Sequence, residues 1–282
     1  MNKQTNYLVI GGTGKTGRKV VEGLRKAGQS VRIGSRSATP SFQWGDPTTW
    51  PAVLEGIDRM YVVYYPDLAV PGAYEAISGL MEEAKKAGVE KVVLLSGKGE
   101  TEAERCEQVV AKSGMNYTLV RASWFSQNFS EYFFLEPILA GHVALPMADA
   151  QIPFVDTTDI ADVVLEALQD DAHNGKTYEI TGPETLSFEE AVKVIGESSG
   201  REIAFQSITL EQYTEGMKAA GVPDDVVWLI GYLFQHVLTK AENQYVSHDI
   251  EKVLGRKATS FTKFAQEAAK TGVWNQSLPQ TI

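Results

Sequence analysis

The sequence is short of several things. Cys106 is its only cysteine, which rules out an intrachain disulfide framework and suits a reducing compartment. That thiol reads as buried and inert rather than as a nucleophile. No uninterrupted apolar run approaches the ~20 residues of a membrane span, so no membrane partner is expected. Basic residues are outnumbered, 26 Lys and Arg against 36 Asp and Glu. The resulting charge of −10 argues against nucleic acid or an anionic surface as a partner. Four histidines, His142, His173, His236 and His248, lie without ligand spacing, and no metal is expected. The opening residues Met1 to Asn6 carry no apolar segment, so a cytoplasmic location without a secretory leader is expected. Internal repeats and low-complexity tracts are also missing.

What is present is most informative near the start. The apolar run Tyr7-Leu8-Val9-Ile10 is too short for a helix and leads into Gly11-Gly12-Thr13-Gly14-Lys15-Thr16-Gly17. Val20, Val21 and Leu24 then recur at helical period, so the stretch reads as strand, tight turn, helix. In that reading Gly11 permits the turn, Gly14 admits a ligand to the backbone, and Gly17 lets helix and strand pack closely. The free amides of the first helical turn, flanked by Thr13, Lys15 and Thr16, then face an anion, the pyrophosphate of a dinucleotide. A nucleoside triphosphate loop of the G-x-x-x-x-G-K-[ST] kind would need glycine where the chain has Val9.

A second strand, Ser30 to Gly34, ends at Ser35-Arg36-Ser37. An acid at this place binds the ribose hydroxyl of NAD, whereas an arginine accommodates the extra phosphate of NADP. No Asp or Glu occurs between Glu22 and Asp46, so Ser35 and Arg36 predict NADP(H). A third short strand is expected at Phe42 to Asp46, with Asp46 either meeting the adenine or capping a helix that starts at Pro47. Strands at Arg59 to Tyr65, Lys91 to Gly97 and Tyr117 to Arg121 follow, with helices between them. Tyr64, Ser96 and Gly97 fall at strand ends, where a cofactor is expected, and Tyr65 beside them is assigned to the substrate pocket. Alternating strands and helices imply a doubly wound parallel sheet, a Rossmann α/β fold.

After Ala122 the segment Ser123 to Phe129 is rich in aromatics and amides. Trp124, Phe125 and Asn128 are assigned to a substrate pocket. Phe129, Phe133 and Phe134 read as core, Asp156 as a helix cap, and Ser187 to Glu190 as a capping box. Beyond Thr209 the chain reads as largely helical. One long helix over Pro223 to Thr239 is apolar around much of its circumference, for burial against the sheet domain or in a homodimer.

The glycine spacing, Arg36, Leu95-Ser96-Gly97, Arg121-Ala122-Ser123-Trp124-Phe125-x-x-Asn128-Phe129, Pro153-Phe154-Val155-Asp156-x-x-Asp159 and Tyr178-x-Ile180-Thr181-Gly182-Pro183 together resemble the NmrA-like branch of the atypical short-chain dehydrogenases/reductases. Within that branch the chain looks most similar to the ergot-alkaloid-biosynthesis-like and quinone reductase subgroups. The resemblance covers nearly the whole chain. It implies an NADP(H)-binding sheet domain over residues 1–155 and a smaller, mainly helical substrate lobe over 156–282, partly interleaved with it. It further implies either a reductase of quinones, iminium compounds or dyes, or a regulator that senses the dinucleotide without turnover. One departure is the helix Glu102 to Lys112, which lacks the Tyr-x-x-x-Lys pair that exchanges a proton with alcohols. Ordinary alcohol oxidation is therefore not expected, an electron-poor acceptor is, and no residue is assigned as proton donor.

Overall fold

The short apolar runs of the first half, β1 (Asn6–Ile10), β2 (Ser30–Gly34), β3 (Arg59–Val62), β4 (Lys91–Gly97) and β5 (Asn116–Ala122), pair in parallel. The structure, a computed structural model, describes residues 4–275. Two further parallel strands, β6 (His142–Leu145) and β8 (Ala204–Ser207), form a small second sheet, while β7 (Lys176–Ile180) joins the main one. The main sheet has six strands in the order β2-β1-β3-β4-β5-β7. From β2 the chain therefore returns across β1, and the strand order reverses between β1 and β3. Such a reversal opens a crevice at the carboxyl ends of the two strands.

Helices α1 (Gly17–Lys26), α2 (Trp50–Leu54), α3 (Ala73–Ala87) and α4 (Thr101–Lys112) supply the crossovers. The remainder are α5 (Asn128–Glu131), α6 (Leu135–Ala140), α7 (Thr157–Gln169), α8 (Phe188–Ser199), α9 (Leu210–Ala219), α10 (Asp224–Tyr232), α11 (Asp249–Leu254) and α12 (Phe261–Lys270). Because strand side chains alternate between faces, Leu8, Ile10, Met60, Val62, Val92 and Leu94 join one core with α2, α3 and α4. Val9, Tyr61, Val93 and Val120 are buried as well but stand outside that cluster, as the other face of the pleat requires. On that other face Arg59 donates to the Leu168 carbonyl at 2.7 Å, and Lys19 to the Thr158 hydroxyl at 3.0 Å. Both faces of the sheet are thus covered, and the expected doubly wound fold is present.

The chain divides into two compact units. One contains the chain up to Ala122, Thr158–Ile180 and Lys252–Gly255, and so holds the whole main sheet. The other contains Ser123–Thr157, Thr181–Glu251 and the chain from Arg256. Its core gathers Phe129, Phe134, Phe154, Phe188, Phe234 and Phe261, with α12 packed on α8. Trp274 is fully buried there and donates its Nε1–H to the Phe129 carbonyl at 2.9 Å. Among the described residues no helix is long and apolar enough to cross a membrane.

Three expectations are corrected. Phe42 to Asp46 is not a strand: Phe42 turns inward against Trp44 and Trp50, at centroid distances of 5.0 and 6.1 Å. Burying three aromatics on α2 and α3 outweighs a strand flanked by Pro40, Gly45 and Pro47. Next, β3 stops at Val62 rather than Tyr65. The long helix after Pro223 is also broken, α10 passing at Leu233–Leu238 into a wider π-helical turn.

Trp274→Phe should keep the ring but leave the Phe129 carbonyl unpaired in the core. A loss of about 1 to 3 kcal/mol in urea unfolding is expected, and an unchanged midpoint would show that this bond does not hold the second unit.

Candidate functional site

At the carboxyl end of β1, Gly11 takes φ +76°, a backbone shape that glycine alone adopts freely. Its N–H donates to the Gly34 carbonyl at 2.9 Å, tying the turn to the end of β2. Its carbonyl accepts from the Gly14 N–H at 2.9 Å. A Cβ at Gly11 would lie 3.1 Å from the Val63 Cβ, just past β3, and one at Gly17 would overlap the Gly11 carbonyl. The turn is therefore wedged between the ends of β2 and β3, at the reversal of strand order. A second wedge is polar: the buried Tyr61 hydroxyl donates to Thr16 Oγ1 at 3.0 Å, and burial keeps that phenol protonated.

Thr16 itself has helical dihedrals, φ −91° and ψ −43°, rather than the extended shape of a capping residue. Thr16 makes no side-chain cap, and the first turn of α1 holds no acid. Thr13 and Gly14 are exposed beside it. An uncapped helix start behind a glycine-rich turn fits an anion, and the pyrophosphate of a dinucleotide is one.

At the end of β2, the Ser35 carbonyl accepts from the amides of Ala38 and Phe42 at 3.3 and 2.9 Å, which folds the chain back. The Ser35 and Ser37 hydroxyls lie 3.4 Å apart. Arg36 between them is exposed and forms no ion pair among the described residues. An unengaged guanidinium with two hydroxyls nearby fits the extra phosphate of NADP(H).

Other expected residues are placed less simply. Asp46 caps the turn Pro47–Thr49, its Oδ1 accepting from the Thr48 amide at 3.1 Å and the Thr48 hydroxyl at 2.6 Å. Tyr64 is half-buried with its ring 4.7 Å from Trp44, and burial pushes its phenol up. The adjacent Tyr65 is 69% exposed, so the two do not share a surrounding. Ser96 is buried and donates to Glu107 Oε1 at 2.6 Å, leaving only backbone at Ser96 and Gly97 to meet a ligand.

In the second unit Trp124, Phe125 and Asn128 follow β5. Phe125 bridges to Val155, and the Asn128 N–H donates to the Phe125 carbonyl at 3.1 Å. The Trp124 ring meets Phe134, Phe188 and Phe234 at 6.3, 6.2 and 5.5 Å. Trp124 thus joins an aromatic wall.

Residues 78–267 match the NmrA-like family. The chain belongs to that family. Among curated proteins it is 30% identical to prestalk A differentiation protein A of Dictyostelium discoideum, over 79% of this chain and 73% of that one. It is likewise 30% identical to an NAD(P)H azoreductase of Xenophilus azovorans, over 79% and 80%. Among solved structures, this NmrA-like protein shares the fold of the Escherichia coli NADPH-dependent quinone oxidoreductase in complex with NADPH, with a TM-score of 0.78 at 20% identity over 93% of this chain and 99% of that one. Citrobacter triphenylmethane reductase, solved with NADP(H), gives a TM-score of 0.73 at 18% identity over 93% and 99%.

Sequence reasoning missed an acidic network at the ends of β3 and β4. Asp67 accepts from the Ala69 amide at 2.8 Å, and Glu100 lies buried against Gly97, where a Cβ would overlap its carboxyl group. Glu107 is clasped by Arg121, with Nε at 2.9 Å from Oε1 and Nη2 at 2.6 Å from Oε2. Burial pushes the Glu100 carboxyl well above the ordinary carboxylate range, and the charges of Asp67 and Glu107 push it further. Glu100 accordingly carries the proton it shares with Asp67, whose own carboxyl burial also raises. The one signal in the sequence is Gly97-Lys98-Gly99-Glu100, an acid set off by glycines at a strand end.

The unfolded chain ionises Glu100 in the ordinary range, while the folded protein keeps the proton to higher pH. Stability therefore falls as pH rises through that window. Glu100→Gln should remove most of this slope, so the variant's unfolding midpoint should climb relative to the parent between about pH 5 and about pH 8. Parallel curves for the two proteins would show that Glu100 is ionised in the fold.

Proposed function

We propose that this protein is an NADPH-dependent reductase that passes hydride to an electron-poor small organic acceptor, a quinone, an iminium compound or a conjugated dye-like molecule. The observation that carries the reading is Arg36, an exposed guanidinium without an ion pair among the described residues, at the end of β2 beside the glycine turn of Gly11 to Gly17. The names of relatives lend support, a NAD(P)H azoreductase and, at 27% identity, agroclavine dehydrogenase of Claviceps fusiformis.

In this reading the amides and dipole at the start of α1 hold the pyrophosphate. Arg36 with Ser35 and Ser37 holds the ribose phosphate, and the backbone at Ser96 and Gly97 lies along the cofactor. Bound NADPH supplies the hydride. The sheet unit serves the cofactor and the second unit the substrate. The half-buried Trp124 ring, backed by core phenylalanines, offers flat apolar surface to a conjugated acceptor.

The acceptor class follows from what α4 offers. Its buried face is Ala103, Cys106, Glu107 and Val110, and burial pushes the Cys106 thiol up to about 11, so that it is no acid or nucleophile at neutral pH. Lys112 sits over Gln108 at 3.4 Å, not over a tyrosine. Without a tyrosine-lysine pair the acceptor must tolerate hydride before it is protonated. The same absence favours a second reading, a sensor that binds the dinucleotide and transmits its redox state without turnover.

NADPH oxidation in the presence of quinones, iminium compounds and cationic dyes separates the two. Turnover with at least one class is expected, and failure across the panel would favour the sensor. Arg36→Ala should weaken NADPH by about 1.5 to 3 kcal/mol in calorimetric titration and leave NADH nearly unchanged. Equal losses for both coenzymes would show that Arg36 does not read the phosphate.

A further inference from the structure

Two connections at the carboxyl edge of the main sheet meet in a pair of carboxyl groups. Asp67 follows β3 and Glu100 follows β4, and the two side chains are hydrogen-bonded to each other. Asp67 is half-buried, and its Oδ1 accepts from the Ala69 amide at 2.8 Å. Glu100 is 7% exposed, and its Oε2 has no hydrogen-bond partner. The Glu100 carboxyl lies over the backbone of Gly97 at the end of β4, in the space that a Cβ would fill. It is not sealed in, since Asp67, Gly97 and Gly99 around it are all partly exposed.

The charged groups that face the pair are few. Glu107 on α4 has both oxygens engaged, by Ser96 at 2.6 Å and by Arg121 of β5 at 2.9 and 2.6 Å. Lys98, on the same connection as Glu100, is buried as well. Burial, Asp67 and Glu107 together oppose ionisation of Glu100, so the pair keeps one proton. A proton kept by such a balance is released when a positive charge arrives nearby.

Strand order says where that charge arises. Arg36 stands at the end of β2 and the glycine turn at the end of β1, with β3 and β4 next in the sheet. A dinucleotide with its phosphorylated adenosine at Arg36 and its pyrophosphate at the turn extends its other half over β3 and β4. Neighbouring strands stand about 4.8 Å apart, so β4 lies about 10 Å beyond the turn. The nicotinamide ring then comes to the strand ends that carry Asp67 and Gly97.

We infer that Asp67 and Glu100 form a proton-holding site tied to the redox state of the coenzyme, keeping one proton beside the uncharged ring of NADPH and giving it up beside the cationic ring of NADP⁺. The inference rests on the coenzyme half of the reductase reading and adds a proton source to it. Hydride leaves the nicotinamide with its electron pair and forms a bond to the acceptor. The ring becomes a cation, and the proton leaves through Asp67, the more exposed member. A neutral acceptor, now an anion, takes that proton, whereas with a cationic acceptor it passes to water. When NADP⁺ departs, the pair takes a proton back from water.

The test is calorimetric titration of the full chain with NADP⁺ and with NADPH, in buffers of different ionisation enthalpy, which counts protons released on binding. Near neutral pH, NADP⁺ should release about half a proton or more and NADPH close to none. Between about pH 5 and about pH 8, the Kd for NADP⁺ should fall about three- to tenfold per pH unit relative to that for NADPH, tenfold being the limit for one proton. Glu100→Gln should abolish the difference. Infrared difference spectra of the two complexes should show a protonated-carboxyl band in the NADPH complex that is lost in the NADP⁺ complex and missing from Glu100→Gln. Equal proton counts for the two coenzymes, a comparison that needs no variant, would overturn the inference, as would a release that survives in Glu100→Gln. Proton-linked binding without oxidation of NADPH by any acceptor would strike the reductase reading and leave the inference standing, and oxidation without proton-linked binding would do the reverse.

Discussion

A single close approach governs the sheet unit: the backbone of Gly17 lies so near the Gly11 carbonyl that no Cβ fits between them. This contact brings the first turn of α1 directly onto the end of β1. The Gly11 amide holds the same turn to the end of β2, and the Gly11 backbone presses on Val63 beyond β3. Three strand ends are thereby collected around one glycine-rich loop, at the place where the strand order reverses. Tyr61 adds the polar consequence. It anchors the Thr16 hydroxyl, while the helical dihedrals of Thr16 leave the helix start without a side-chain cap and the positive end of the dipole available to a ligand. Sequence, packing and electrostatics agree at this loop, as they do where a chain specifies one structure.

Much of this was legible because it is local. An apolar run, glycines three apart and a 3.6-residue period are read from consecutive residues, and so is the capping box of Ser187 and Glu190, which forms in both directions at 3.1 and 2.7 Å. Arg36 stood out because no acid precedes it in its segment. The failures are all non-local. Phe42 belongs to an aromatic group whose other members come from Trp44, Trp50 and Tyr64, and no period-2 pattern reveals which way it turns. Strands β6 and β8 pair across about sixty intervening residues, and neither has a strong alternation of its own. Asp67 and Arg121 come from stretches apart from Glu100 and Glu107 at α4, so the Asp67–Glu100 contact and the clasp of Arg121 on Glu107 are properties of the fold alone.

The two units use aromatic residues differently. In the sheet unit the aromatics fill space beside α2 and α3, where Trp50 pairs its indole with the Gln43 carbonyl. In the second unit they form a continuous core from Phe129 to Phe261, and one member, Trp124, has a polar edge that the core leaves unmatched. An unpaired buried donor is a debt of stability unless a ligand settles it, which is why such groups concentrate where binding occurs.

Helix α4 explains why the chemistry must be undemanding. Glu107 faces inward from α4, where it accepts from Ser96 on β4 and is clasped by Arg121 on β5. Removing either partner of a buried, bidentate ion pair costs about 3 to 5 kcal/mol, so the arrangement ties the helix to both strands. A helix held in that way serves as structure. Its remaining inward positions, Ala103, Cys106 and Val110, are apolar or, for the thiol, held neutral by burial. Protonation of the product then falls to solvent or to groups outside α4, and hydride transfer can run first only if the acceptor bears the added electrons unaided. In the proposed reductase a quinone would meet that condition, because the charge settles on oxygen.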